Sequence, residues 1–176
     1  VVINPCDDTE AKAAVKAAYE HVGPVYMRFG RLALPVINDP DTYKFELGKG
    51  VELKSGKDIT IVATGLCVSE SLKAAEMLKE AGVDAQVINI HTIKPIDEDI
   101  IINAAKKTGR IFTVEEHSII GGLGSAVMEV LSEKYPTKVT RIGVNDTYGC
   151  SGPAKELLHV FGLDAEGIAA KIKENL

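Results

Sequence analysis

Residues 110–133, RIFTVEEHSIIGGLGSAVMEVLSE, leave the chain little freedom. Ile111, Phe112 and Val114 are strong β-formers, and Glu115-Glu116-His117 then breaks off the apolar run, so the strand is expected to stop there. Gly121, Gly122 and Gly124 follow, positions where a positive φ is free. Leu123, Ala126, Val127, Val130 and Leu131 then recur at i, i+3, i+4, i+7 and i+8, the apolar stripe of a helix. A strand, a glycine turn and a helix with almost no spacer make up the repeating unit of an α/β domain. In such domains the loops leaving the carboxyl ends of the strands meet ligands or partner subunits.

The rest of the chain repeats this rhythm. A strand end at 1–3 leads into Asp7-Asp8-Thr9-Glu10, a capping-box arrangement, and a helix from Asp8 to about His21 whose apolar members are Ala11, Ala14, Val15, Ala18 and Tyr19. Gly23-Pro24 stops it before a strand at 25–27. From 34 to 57 periodicity is lost among Pro35, Pro40, Gly48, Gly50 and Gly56, which reads as a connection with a short strand at 51–53. Further strands are expected at 59–63, 85–90 and 138–144. Helices are expected at 69–81, after Pro95-Asp97 as far as Gly109, after Ser151-Gly152-Pro153 with Leu157, Leu158 and Phe161 inward, and after Asp164 with Ile168, Ala169 and Ile172 inward. The fold class is α/β, a three-layer α/β/α domain with a mostly parallel sheet and right-handed crossovers, preceded by the truncated tail of a second α/β domain. The boundaries are 1–37 for the tail, 38–57 for the linker and 58–176 for the main domain. Two strands and a helix bury too little to stand alone, and the chain opens without Met inside a strand, so a piece of a longer protein is expected.

The 176 residues are 45% hydrophobic and carry a net charge of −5, enough apolar material for a good core. With a pI near 5.4 and no gathered Lys/Arg surplus, a nucleic-acid partner is not expected. No apolar run reaches the about 18 residues that suggest a membrane span. Cys6, Cys67 and Cys150 are odd in number and far apart, which argues against a disulfide framework or zinc site and fits a cytoplasmic location.

Several side chains could carry chemistry. The glycines at 121, 122 and 124 invite a phosphate cradle, but Val127 stands where G-x-G-x-x-G needs glycine and acidic residues lie just upstream; close strand–helix packing explains them better. Glu115, Glu116 and His117 could act together as an acid/base group, face a partner subunit, or place carboxylates at a helix N-terminus. Arg28 and Arg31 follow a strand end, where a guanidinium fork suits phosphate or carboxylate oxygens; the alternative is an ordinary surface ion pair. His91 and His159 show no partner in sequence.

Three stretches in order, Gly23-Pro24-Val25-Tyr26-Met27-Arg28-Phe29-Gly30-Arg31, residues 87–97 (VINIHTIKPID), and Thr113-Val114-Glu115-Glu116-His117 with Gly121-Gly122-Leu123-Gly124, resemble the C-terminal part of transketolase. The resemblance covers nearly the whole chain and is closest to the separate C-terminal subunit of a split bacterial enzyme. It implies that residues 1–37 end a pyrimidine-binding domain and that the complete enzyme uses thiamine diphosphate and Mg²⁺ to move a two-carbon ketol unit from a ketose phosphate to an aldose phosphate, in the pentose phosphate pathway. It also implies that this chain lacks the cofactor-activating Glu and the metal motif, so that neither cofactor is expected on it and it is inactive alone. Its partners would be an N-terminal subunit or domain, a second copy in a homodimer, and sugar phosphates. Arg31 then matches the residue that grips the substrate phosphate, Arg28 is a weaker candidate for the same role, and Glu116 and His117 are interface or supporting positions. Deoxyxylulose-phosphate synthase, the β subunit of a 2-oxoacid dehydrogenase and a non-catalytic oligomerisation or regulatory module remain alternatives; Arg31 disfavours the dehydrogenase and His117 the synthase.

Overall fold

The computed structural model describes residues 1–176. Its larger sheet has five strands in the order β3 (Val51–Lys54), β5 (Ala85–Asn89), β4 (Ile59–Ala63), β7 (Ile111–Ser118) and β8 (Val139–Val144). Every neighbouring pair is parallel except the β3 edge, which runs antiparallel to β5. Alternation along β4 sends Ile59, Ile61 and Ala63 to one face and Val62 to the other, which gives the sheet a core on each side. On the first face α2 (Cys67–Glu80) and α6 (Ala165–Lys173) close over Phe112, Val114 and Ile142. On the second, α3 (Glu98–Thr108) and α4 (Leu123–Lys134) close over Val62, Ile88 and Ile111. This is the expected three-layer α/β/α architecture, and helix–strand alternation dictates it because a parallel sheet must have both faces covered.

Local signals set most boundaries. Asp97 accepts from Ile100 N at 3.3 Å and caps α3, which ends on Gly109 at φ +67°. Asp164 accepts from Gly167 N at 2.9 Å and starts α6. In α5 (Ala154–Val160), Pro153 occupies the cap position, and Leu157, Leu158 and Phe161 are only partly buried, so this short helix leans on the core rather than entering it.

The N-terminal segment forms a second, three-stranded sheet in the order β2 (Tyr26–Met27), β1 (Val2–Ile3) and β6 (Thr92–Lys94). β6 was not expected. It is a short polar-ended stretch after β5, and only its antiparallel partner β1 makes it a strand. It binds the segment to the larger domain. α1 (Asp8–Glu20) also departs from its apolar stripe: Ala14 and Glu10 are buried, whereas Val15 is 52% and Tyr19 91% exposed. The two-residue strands offer too little surface to cover that stripe, and polar contacts of the first turn hold the helix instead. β3 lies within the stretch that reads as a connection, and its pairing with β5 places it in the larger sheet.

Candidate functional site

Where the two sheets meet, a cleft of about 520 Å³ opens at the carboxyl end of β7. Its walls combine β1, β2 and β6 on one side with the β7 terminus and α4 on the other; Tyr26, Arg28, Glu116, His117, Ser125 and Glu129 are among the polar groups that line it.

β7 does not stop at Glu115. It runs on to Ser118, with an irregularity in its pairing to β8 between Val114 and Ser118. The physical reason is that Glu115, only 2% exposed, is not a solvated charge. Its Oε2 accepts from Leu123 N at 2.7 Å and its Oε1 from Gly124 N at 2.8 Å, so the carboxylate closes the first turn of α4. The glycines follow from this contact. A Cβ on Gly122 would lie 2.0 Å from Glu115 Oε2, a Cβ on Gly124 would meet Arg141 and Thr113 at 2.8 Å, and Gly121 turns at φ +77°. The amides that a phosphate would need are therefore taken by the chain's own carboxylate, and close strand–helix packing is what the glycines serve.

Arg28 reaches from the end of β2 across the cleft, and its Nη2 donates to Glu116 O at 2.7 Å. Glu116 reaches solvent, yet partial burial pushes its carboxyl above the ordinary range, opposed by the positive charge of Arg28. His117 is exposed, with Nδ1 donating to the Ser118 carbonyl at 3.0 Å. The structure thus brings Arg28, Glu116 and His117 together, although β2 and β7 lie far apart in sequence. Arg31 stands apart from them, exposed on a bend beyond β2 and outside the cleft lining.

A second polar cluster, not singled out as a site in the sequence, locks the two sheets together behind the cleft. Glu10 is fully buried. Its Oε2 accepts from Cys6 N at 2.7 Å, and its Oε1 from Asn89 Nδ2 at 2.9 Å and Tyr43 Oη at 2.5 Å. Asp7 Oδ1 caps α1 through Glu10 N at 2.8 Å, while Oδ2 takes Ile37 N and Asn38 N. The capping-box spacing was the available signal, but Glu10 reaches Cys6 rather than the cap residue and serves tertiary partners as well. Burial raises the Cys6 thiol and the Tyr43 phenol far above their ordinary values, with the Glu10 charge adding to it, so both act here as neutral groups. His91 is buried nearby, 2.8 Å from Thr92 Oγ1 and with its ring against Phe45; desolvation lowers its pKa, against the pull of Glu10 and Asp97.

Residues 48–168 match the family described as transketolase, C-terminal domain. A protein of Methanocaldococcus jannaschii with the provisional description transketolase C-terminal section is 47% identical over 178 residues, covering 100% of this chain and 55% of that protein. One of the subunits of an apulose-4-phosphate transketolase of Phocaeicola vulgatus is 43% identical over 167 residues, covering 95% of this chain and 53% of that protein. A solved split-gene transketolase, described as an inactive beta4 tetramer, superimposes with a TM-score of 0.94 at 47% identity, covering 98% of this chain and 56% of that one. The chain spans about half the length of the curated relatives it matches.

Proposed function

Because this chain belongs to the transketolase C-terminal domain family, we propose that it is the C-terminal part of a thiamine-diphosphate-dependent transketolase, transferring a two-carbon ketol unit from a ketose phosphate to an aldose phosphate. The observation that carries this reading is the likeness, along nearly the whole chain, to split-gene transketolase. Residues 1–37 are then the end of a pyrimidine-binding domain, and 38–57 the connection, which lends β3 to the larger sheet of the C-terminal domain.

The diphosphate and its Mg²⁺ do not fit the residues present. Glu115 fills the amides at the start of α4, and Glu116, Glu129 and Glu133 add negative charge to the same cleft. Both groups are assigned to the N-terminal subunit or domain. The contribution of this chain is substrate binding and assembly. Arg31 supplies a charge-assisted grip on the substrate phosphate, and the strand ends around Glu116 and His117 support the homodimer or the partner subunit. The chain alone is expected to be inactive, and the assembly to work in the cytoplasm; no helix is long and apolar enough to cross a membrane.

Reconstitution tests the proposal. The chain at its native length is mixed with the N-terminal subunit, thiamine diphosphate and Mg²⁺ and assayed for ketol transfer, with Arg31→Ala in parallel. Activity on ketose phosphates, with the variant losing affinity mainly for phosphorylated substrates, is the expected result. Activity confined to unphosphorylated 2-oxoacids would move the chain to the dehydrogenase branch, and assembly of the chain with itself alone, without activity, would favour the module reading.

A further inference from the structure

Arg31 is carried on a strap that is tied at its ends and loose between them. No residue from 29 to 36 makes a backbone–backbone hydrogen bond. Upstream, Arg28 N donates to Ile3 O at 2.9 Å and Arg28 Nη2 to Glu116 O, so a single residue fastens the strap to both sheets. Downstream, three donors converge on one oxygen: Ile37 N, Asn38 N and Asn38 Nδ2 reach Asp7 Oδ2 at 2.8, 2.7 and 3.0 Å. Asp7 is 3% exposed. Between the two ties the only core contact is that of Leu34, which rests against the α2/α6 side.

A guanidinium grips phosphate through a planar fork, so its reach matters as much as its charge. We propose that Asp7 is a positioning residue for the substrate phosphate: by fixing the downstream end of the strap, its buried carboxylate sets where the Arg31 guanidinium can stand. Discrimination in favour of phosphorylated substrates then depends on a side chain that touches no substrate. This rests on the reading of Arg31 given above. A carboxylate suits the task because one oxygen accepts all three donors while the other keeps the α1 cap. Asparagine in its place has a single acceptor oxygen and no negative charge, so whichever way its amide turns, the three strap donors lose either their acceptor or its charge, and Asp7→Asn loosens the strap.

The experiment uses the complete reconstituted enzyme and compares kcat/KM for a phosphorylated ketose donor with that for an unphosphorylated one. The ratio is measured in the parent protein, Asp7→Asn, Arg31→Ala and the double variant. In Asp7→Asn the ratio should fall between about ten- and a hundredfold, mainly through KM for the phosphorylated donor. In the Arg31→Ala background the same substitution should leave the ratio where it is, since the strap then has nothing to position. Equal losses on both donors, or a second fall in the double variant, overturn the inference and leave Asp7 a purely structural residue. An Arg31→Ala enzyme with an unchanged ratio overturns the phosphate reading itself, and the inference with it. Circular dichroism checks folding. If Asp7→Asn does not fold, Asn38→Ala, which removes one of the three donors, carries the same comparison with a smaller expected fall.

Discussion

Glu115 shows how one side chain can decide the meaning of its neighbours. Following Val114 and leading two more polar residues, it looks like the end of a strand, yet its two oxygens hold the first amides of α4 from inside the protein. Glu115→Gln keeps the shape but turns one acceptor into a donor facing an N–H. We expect a loss of about 1–3 kcal/mol in urea unfolding, the cost of a buried group left unpaired. His91 gives the pH dependence. Its folded-state pKa is depressed below the ordinary value of 6.5 by burial, so the unfolded chain takes up the proton first as pH falls. Its contribution to stability is complete above the unfolded value and is lost as pH drops below it towards the folded value. Thermal melts at about pH 8 and about pH 5 should therefore differ less in His91→Phe than in the parent chain; an unchanged difference would place the pH sensitivity elsewhere.

Among the elements, α3 illustrates a helix whose cap has a second duty. Asp97 accepts from Ile100 N and also from Gly50 N at 3.0 Å, which ties the turn before β3 to the helix start. Asp97→Ala should cost about 1–2 kcal/mol, the upper part of the range for a lost N-cap, and hydrogen exchange should quicken at Gly50 as well as in the first turn of α3. Elements with strong apolar patterns, β4, β5, α2, α3, α4 and α6, lie where their sequences put them, because one buried face specifies each helix and burial on both faces specifies the two central strands. β6 and the extension of β7 do not, since each exists through a partner distant in the chain: β1 for the first, and β8 with the α4 amides for the second.

At the scale of the whole molecule, the junction between the two sheets is a buried polar lock, in which Glu10 joins Cys6, Tyr43 and Asn89. Tyr43→Phe removes one donor from a fully buried carboxylate. It should destabilise the protein by about 1.5–3 kcal/mol, the range for hydrogen bonds to charged groups. Because the lock belongs to both sheets, near- and far-ultraviolet circular dichroism should still report one coincident unfolding transition; two separate transitions would mean that the N-terminal segment and the larger domain are independent.

The three-layer class, the helix caps, the glycine turn and the candidacy of Arg28, Arg31, Glu116 and His117 were legible in the sequence. They rest on periodicity, on local capping chemistry, or on motifs whose residues stand next to one another. Tertiary structure alone decided that Glu115 is an internal helix cap, that Arg28 spans the cleft to Glu116, and that Asp7, Glu10 and Asn89 form the lock. Asp7, Glu10, Asn89 and Glu115 are polar groups whose burial is tolerable only because their partners arrive from elsewhere in the chain, and half-buried Arg28 meets Glu116 only because the two sheets are packed together. A sequence shows that such a group is present, but its partners are set by the packing of the two sheets.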